Sequence, residues 1–307
     1  MLVPQPRLKA IQINPSGHEL QANLLCDRFV ERRPLVGPHQ ATLTRERRMK
    51  RLIVLIMLLS TTHAARAAEI PPEFSAPWSD GAKAIVIDPY EGNGIDWDKL
   101  ATDKRVIAII HKATEGLKTD SKYAPRKKEA LKRGYLWGSY HLGRPGDPVK
   151  QAEHYLKVTD PGADELIALD LESISSSFMS LDGARQFIEH IFHETQRYPL
   201  LYINHATAQH ISSKIGQDKV FAKCPLWYAR FRRNIPDFPR GTWATYMLWQ
   251  FSSEINCSVQ GTCLYNVPGT RFDMDVNVFF GTPAELKAQW PLTRILADPP
   301  KAHEGKQ

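Results

Sequence analysis

Eight short apolar runs, spaced by polar segments that often carry helical periodicity, constrain this chain more than any other feature. The runs cover 84–87, 106–110, 137–141, 166–171, 200–203, 226–229, 247–251 and 276–280. Each is apolar on both faces, the pattern of a strand covered from two sides. Helical patterns fall between the early runs. One covers 123–133, with Pro125 near its start and Gly134 just beyond its end. A second covers 149–158 behind Asp147-Pro148, a capping residue with proline at the first helical position. A third covers 181–195, with Phe187, Ile188 and Ile191 on one side, and a fourth covers 207–215. After Gly216 the helical signals fade. Strands alternating with helices predict a parallel sheet, and eight strands predict a closed barrel. An open doubly wound sheet is the rival, but no glycine-rich phosphate loop follows the first run. The expectation is an α/β fold, a TIM-like barrel with a reduced helix complement in its last third.

Composition supports a folded chain. Of 307 residues, 42% are hydrophobic and 24% charged, which excludes a largely disordered or collagen-like protein. The net charge of +7 looks like a nucleic-acid signal, but residues 1–67 hold 11 basic and 4 acidic side chains. The rest of the chain carries 29 of each sign and is neutral, so charge gives the folded part no reason to bind DNA or RNA.

The basic N-terminal part has its own logic. Met49-Lys50-Arg51 precedes the apolar run 52–59, and Ala65-Arg66-Ala67 supplies a small-residue cleavage site. This reads as a signal peptide over 49–67, with 1–48 an upstream overrun. The apolar run is too short for a stable bilayer span, so no lasting membrane insertion is expected. Residues 68–81 read as a linker or N-terminal arm, 82–292 as the barrel and 293–307 as a tail. Export to the periplasm or the extracellular space follows. Cys257 and Cys263 flank a short loop and could pair in an oxidising compartment, leaving Cys224 as a small buried hydrophobe. No cysteine or histidine spacing resembles a zinc site, and neither a metal nor a cofactor is expected.

In such barrels the chemistry sits at the C-terminal ends of the strands. Those ends are polar here. They carry Asp88, Lys112, Tyr140 with His141, Asp170 with Glu172, Tyr202 with Asn204, Tyr228 with Arg230, and Trp249 with Gln250. Asp275 stands just before the last run. Helix capping explains one or two of these but not a carboxylate or aromatic at nearly every strand.

Asp170-Leu171-Glu172 is the sharpest feature. Alternation along a strand puts both carboxylates on one face, about 6.6–6.8 Å apart at the backbone. Two carboxyls in a desolvated site push their pKa values apart, which leaves one protonated and one ionised. Glycoside hydrolysis needs that pairing, although the spacing is compatible with both retaining and inverting geometries. A helix cap or an ion pair is an equally ready explanation of the motif alone. Asp88 and Asp275 could likewise cap helices or pair with Lys112. His141 reads as a core histidine. Tyr140, Tyr202, Tyr228 and Trp249 supply flat apolar faces with polar edges, as a sugar site requires, although each could be core. Arg230, in the run Arg230-Phe231-Arg232-Arg233, reads as a cleft rim that contacts acidic substrate groups, or as a solvated loop. Trp97, Trp137, Trp227 and Trp243 read as packing residues.

Taken in order, these segments resemble glycoside hydrolase family 25, the Chalaropsis-type lysozymes. Val86-Ile87-Asp88, Gly94-Ile95-Asp96-Trp97, Lys112-Ala113-Thr114-Glu115-Gly116 and Gly138-Ser139-Tyr140-His141 are similar to its first blocks. Ala168-Leu169-Asp170-Leu171-Glu172, Pro199-Leu200-Leu201-Tyr202, Leu226-Trp227-Tyr228-Ala229-Arg230, Trp249-Gln250-Phe251-Ser252 and Asp275-Val276-Asn277-Val278-Phe279 are similar to its later ones. The resemblance runs over roughly 84–280.

The resemblance implies a (β/α)5(β)3 barrel and muramidase activity, the hydrolysis of the β-1,4 bond between N-acetylmuramic acid and N-acetylglucosamine in peptidoglycan. It implies Glu172 as general acid, Asp170 as partner carboxylate orienting the substrate acetamido group, and Asp88 and Asp275 in the same cleft. Substrate contacts are expected from Tyr140, Tyr202, Tyr228, Arg230, Trp249 and Lys112. A non-catalytic peptidoglycan-binding barrel and a hydrolase of another N-acetylated glycan such as chitin are the alternatives. The chain departs from the family pattern at Pro89-Tyr90-Glu91-Gly92, at Asn204-His205-Ala206 and in the insertion 255–270.

Overall fold

The computed structural model describes residues 70–215, 218–258 and 260–293. The expectations for the overrun 1–48, the signal peptide 49–67 and the tail beyond 293 fall outside the described residues. Among the described residues no helix is long and apolar enough to cross a membrane.

The barrel strands are β1 (Ile85–Ile87), β2 (Val106–Glu115), β4 (Leu136–Leu142), β5 (Leu166–Leu171), β6 (Leu200–Asn204), β7 (Leu226–Ala229), β8 (Leu248–Ser252) and β9 (Val276–Val278). A short β3 (Lys118–Thr119) folds back on β2 as a hairpin. β1 pairs with both β2 and β9, which closes the ring. Leaving β3 aside, the barrel strands from β1 to β8 run parallel in sequence order, and β9 is antiparallel to both of its neighbours. That reversal matters for the site. Residues that precede β9 lie at the same end of the barrel as residues that follow the other strands.

Helices Trp97–Leu100, Tyr123–Lys132, Pro148–Thr159, Leu181–Thr195 and His205–His210 occupy the first five crossovers. Among the described residues no α-helix joins β7 to β8 or β8 to β9, and Pro283–Gln289 follows the last strand. This is the (β/α)5(β)3 arrangement. Local chemistry sets the helix starts. Asp147 accepts from the Val149 and Lys150 backbone N–H groups, and Ser180 accepts from that of Gly183.

Alternation splits each strand between two cores. Val86, Ile110, Ala168, Leu200, Trp227 and Leu248 fill the barrel interior. Ile87, Ile109, Leu169, Ile203, Tyr228 and Trp249 face outward, in the layer that also holds Phe187, Ile188 and Ile191. Gly138 keeps the interior from overfilling, since a Cβ there would sit 2.9 Å from Leu166 and 3.3 Å from Ile110.

The described part of 68–81 is not a linker. Pro72–Phe74 and Pro77–Ser79 form two 3₁₀ turns that pack on the barrel, with Phe74 and Trp78 buried. Phe74 stacks on Phe238 at 4.8 Å and Trp78 on Phe251 at 5.3 Å. The Phe74 carbonyl accepts from Ile235 N–H, Trp78 Nε1 donates to the Arg233 carbonyl, and Tyr246 Oη donates to the Glu73 carbonyl. Two large aromatics separated by prolines are what a docked arm needs, and they anchor the long β7–β8 crossover.

Candidate active site

The open end of the barrel gathers four carboxylates from three separate stretches of chain. Asp88 follows β1, Asp170 lies in β5, Glu172 follows β5 and Asp275 precedes the reversed β9. A cavity of about 320 Å³ opens there, and Glu172, Asp275, Tyr202, Asn204, Phe231 and Gln250 line it with Tyr90, Ser253, Glu254, Ile255 and Asp273.

Asp88 lies deepest, in a hydrogen-bonded chain across the barrel. Trp227 Nε1 donates to Asn277 Oδ1 at 2.6 Å, and Asn277 Nδ2 donates to Asp88 Oδ1 at 2.5 Å. Gln250 Nε2 donates to Asp88 Oδ2 at 2.7 Å, and Tyr202 Oη donates to Gln250 Oε1 at 2.6 Å. Both Asp88 oxygens therefore receive amide donors. Burial still pushes its pKa well up, with Asp275 and Asp170 adding to the rise and the Asn277 and Gln250 hydrogen bonds opposing it.

Asp170 is also buried, and its Oδ1 has no hydrogen-bond partner. Burial raises its pKa well above the usual range, and the charges of Glu172 and Asp275 raise it further. Burial, with Glu254, Glu172 and Asp273 nearby, lifts Asp275 to about 7. Glu172 is raised as well, chiefly by desolvation. It stands at the mouth of the cleft with its side chain open to water, so solvent limits the effect. These mutual influences tie the carboxylates into one electrostatic unit, in which not all can be ionised at neutral pH.

Cations balance one wall. Glu115 bridges Lys112 Nζ at 3.1 Å and Arg144 Nη2 at 2.7 Å. Burial works against the Glu115 charge, but the Arg144 and Lys112 hydrogen bonds prevail and lower its pKa. The two-residue hairpin at Gly116-Leu117 sets this placement, with Gly116 at φ +55° where a side chain would be strained. Lys112 also lies 4.9 Å from the centre of the Tyr90 ring. Beneath the carboxylates, Trp227 meets Tyr202 and Tyr140 edge-on at 5.0 and 6.1 Å. Burial pushes both tyrosine hydroxyls up, and Asp88, Asp170 and Asp275 add to the effect.

Three expected substrate contacts, Tyr228, Trp249 and Arg230, do not line this cleft. Tyr228 and Trp249 are fully buried in the outer layer, behind the sheet. Tyr228 Oη bonds His205 Nδ1, and Trp249 Nε1 donates to the Arg230 carbonyl at 2.8 Å. Their inward neighbours, Trp227 and Gln250, take the interior positions instead. Arg230 pairs with Asp237 at 2.6 Å rather than lining the cavity. Lys112, Tyr140, Tyr202 and the four carboxylates are brought together. His141 is a neutral core residue between Thr114 and Gln151, with burial lowering its pKa to about 4.

Asn277, Tyr90 and Phe231 are site residues that the sequence did not assign to the cleft, and Asn204 and Gln250 were named there only as polar strand ends. Asn277 was detectable in principle, as a polar residue inside an otherwise apolar run. Cys257 and Cys263 are disulfide-bonded and lie in the β8–β9 connection that also carries Glu254, Asp273 and Asp275. Among the described residues no group of three or more His, Cys, Asp or Glu side chains is arranged to hold a metal ion.

The molecule is thus a reduced-helix β/α barrel with an acidic cleft at the C-terminal ends of its strands. The profile of Glycosyl hydrolases family 25 matches residues 87–260, more than half of the chain, and the chain belongs to that family. It is 26% identical over 171 residues to the autolytic lysozyme of Clostridium acetobutylicum, a match that covers 54% of this chain. The chain spans about half the length of that curated relative, 49%. Among solved structures it is similar to a muramidase from Trichobolus zukalii, with a TM-score of 0.54 and 25% identity over 67% of this chain and 97% of that one. It also shares its fold with a bacterial lysozyme from Streptomyces coelicolor, at TM-score 0.56 and 21% identity over 70% of this chain and all of the other.

Proposed function

We propose that this protein is an exported muramidase that hydrolyses the β-1,4 bond between N-acetylmuramic acid and N-acetylglucosamine in peptidoglycan. The single observation that carries this reading is the crowding of Asp88, Asp170, Glu172 and Asp275 at one end of the barrel. Binding alone has no use for buried carboxylates held partly protonated, whereas glycoside hydrolysis needs a proton donor and an ionised partner in one cleft.

Glu172 is the general acid. It is solvent-accessible at the cleft mouth, and desolvation raises its pKa towards the range where a carboxyl still carries its proton. It protonates the glycosidic oxygen as the bond to the anomeric carbon breaks. Asp170 Oδ1, buried and without a partner, accepts the N–H of the substrate acetamido group. That group's carbonyl oxygen then attacks the anomeric carbon. Water later displaces it, giving its proton to the Glu172 carboxylate. Asp275, in its ionised form, stabilises positive charge as it develops on the sugar, and the clamped Asp88 lies beneath it in the same cleft. Tyr202 and Tyr140 floor the cleft, and Lys112 orders Glu115 and Tyr90 on the opposite wall. Export is supported by the leader pattern over 49–67 and by the Cys257–Cys263 disulfide, which belongs to an oxidising compartment.

The test is release of reducing ends from purified peptidoglycan. Glu172→Gln should lower the rate by about 10²–10⁴-fold, the usual worth of a general acid. Because Glu172 is exposed, the variant should melt like the parent. Undiminished turnover would remove Glu172 from the role.

A further inference from the structure

Asn204, the last residue of β6, is held on two sides at once. Its Oδ1 accepts from the Thr207 backbone N–H at 2.8 Å and so caps the helix His205–His210. Its Nδ2 donates to the backbone carbonyl of Glu172. The cap leaves no freedom in the amide. Oδ1 has to face the helix N–H, so only the Nδ2 edge is left for β5.

The backbone ladder between β5 and β6 ends at the pair Leu171 and Ile203. Glu172 is the first residue past that ladder, and it is exposed where it lines the cleft mouth. The Asn204 amide therefore supplies the next rung, from a side chain instead of a backbone.

We propose that Asn204 is a positioning residue for Glu172: its amide ties the Glu172 backbone to the start of the following helix and so fixes where the acid presents its proton. This rests on the reading of Glu172 as the general acid. Asn204 need not touch the reacting atoms. Its effect passes through the Glu172 carbonyl, and small misplacements of an acid are costly in rate.

Two substitutions separate this role from simple helix capping. Serine and aspartate cap helices about as well as asparagine. Aspartate has no donor to offer the Glu172 carbonyl and would set an oxygen against it, whereas the serine hydroxyl can both accept and donate but is one bond shorter than the amide and cannot span both partners as Oδ1 and Nδ2 do. Asn204→Ser and Asn204→Asp should therefore melt like the parent while kcat falls on the order of tenfold or more at unchanged KM. In the same variants, the Glu172 carboxyl followed by ¹³C NMR without substrate should change its chemical shift and titration, with the added charge of Asn204→Asp moving that titration upward.

Parental kcat in both variants would reduce Asn204 to a cap and overturn the proposal. A raised KM at unchanged kcat would make it a substrate contact, with the same consequence. The NMR arm needs no turnover. An unmoved Glu172 titration rejects the proposal even if the parent hydrolyses nothing, whereas a moved titration in an inactive parent rejects only the muramidase reading.

Discussion

Asn277 Nδ2 reaches Asp88 Oδ1 at 2.5 Å while its own Oδ1 is taken by the Trp227 indole at 2.6 Å. The two contacts fix the amide and leave it no alternative orientation inside the barrel. Asn277→Ala would strand a buried indole N–H and remove one of the donors to a buried carboxylate. The expected cost is about 2–4 kcal/mol, read from chemical denaturation. A loss below about 0.5 kcal/mol would show that water replaces the amide without penalty.

The cleft should make stability depend on pH in an unusual direction. Asp275 is raised to about 7 in the folded protein, against about 3.9 in an unfolded chain. A carboxyl with a raised folded pKa binds its proton more tightly when folded. Its contribution is fully present below the unfolded value and is lost as pH rises through about 7. Asp88 and Asp170 are shifted in the same direction. Melting temperature should therefore fall between about pH 4 and pH 7, and Asp275→Asn should flatten that fall while reducing hydrolysis. A parent whose stability rises over this interval would contradict the assigned shifts.

Trp249 and Tyr202 should separate cleanly in kinetics. Trp249 is packed behind the sheet, so Trp249→Phe should lower stability by about 1–3 kcal/mol and leave KM within about twofold. Tyr202→Phe removes the hydroxyl that donates to Gln250 at the cleft floor, so its main effect should be on kcat. Steady-state kinetics on soluble glycan fragments, paired with thermal melts, would decide. A large KM change in Trp249→Phe would mean that the residue meets substrate after all.

This pair also marks how far the site could be read from sequence. The Asp170-Leu171-Glu172 alternation was legible because a polar residue inside an apolar strand declares which face it occupies. Leu226–Ala229 is buried along its whole length and carries no strongly polar side chain, so no alternation tells its two faces apart. An aromatic such as Tyr228 then reads equally well as cleft or core. In Leu248–Ser252, by contrast, the polar Gln250 and Ser252 mark the inner face and put Trp249 on the other. The barrel was legible from the alternation of apolar runs and helical segments, and the shared placement of Asp275 was legible only once β9 proved antiparallel. For 68–81 the sequence left linker and N-terminal arm both open, because Pro and Ser dominate its composition, while Phe74 and Trp78 do the packing.

The arm should matter for stability. Phe74 is buried between the arm and the β7–β8 crossover, against Phe238 and Tyr246. Phe74→Ala should cost about 3–5 kcal/mol in equilibrium unfolding. Deletion of 68–81 should destabilise the domain by at least as much. A domain that starts at residue 82 and melts like the parent would contradict the docked arm.

The most direct measurement is mass spectrometry of the soluble fragments that residues 68–307 release from purified peptidoglycan, with the reducing-end sugar identified after borohydride reduction. The account predicts fragments ending in reduced N-acetylmuramic acid, present with the parent and nearly absent with Glu172→Gln. Fragments ending in reduced N-acetylglucosamine, or intact sacculi with bound protein and no release, would contradict it.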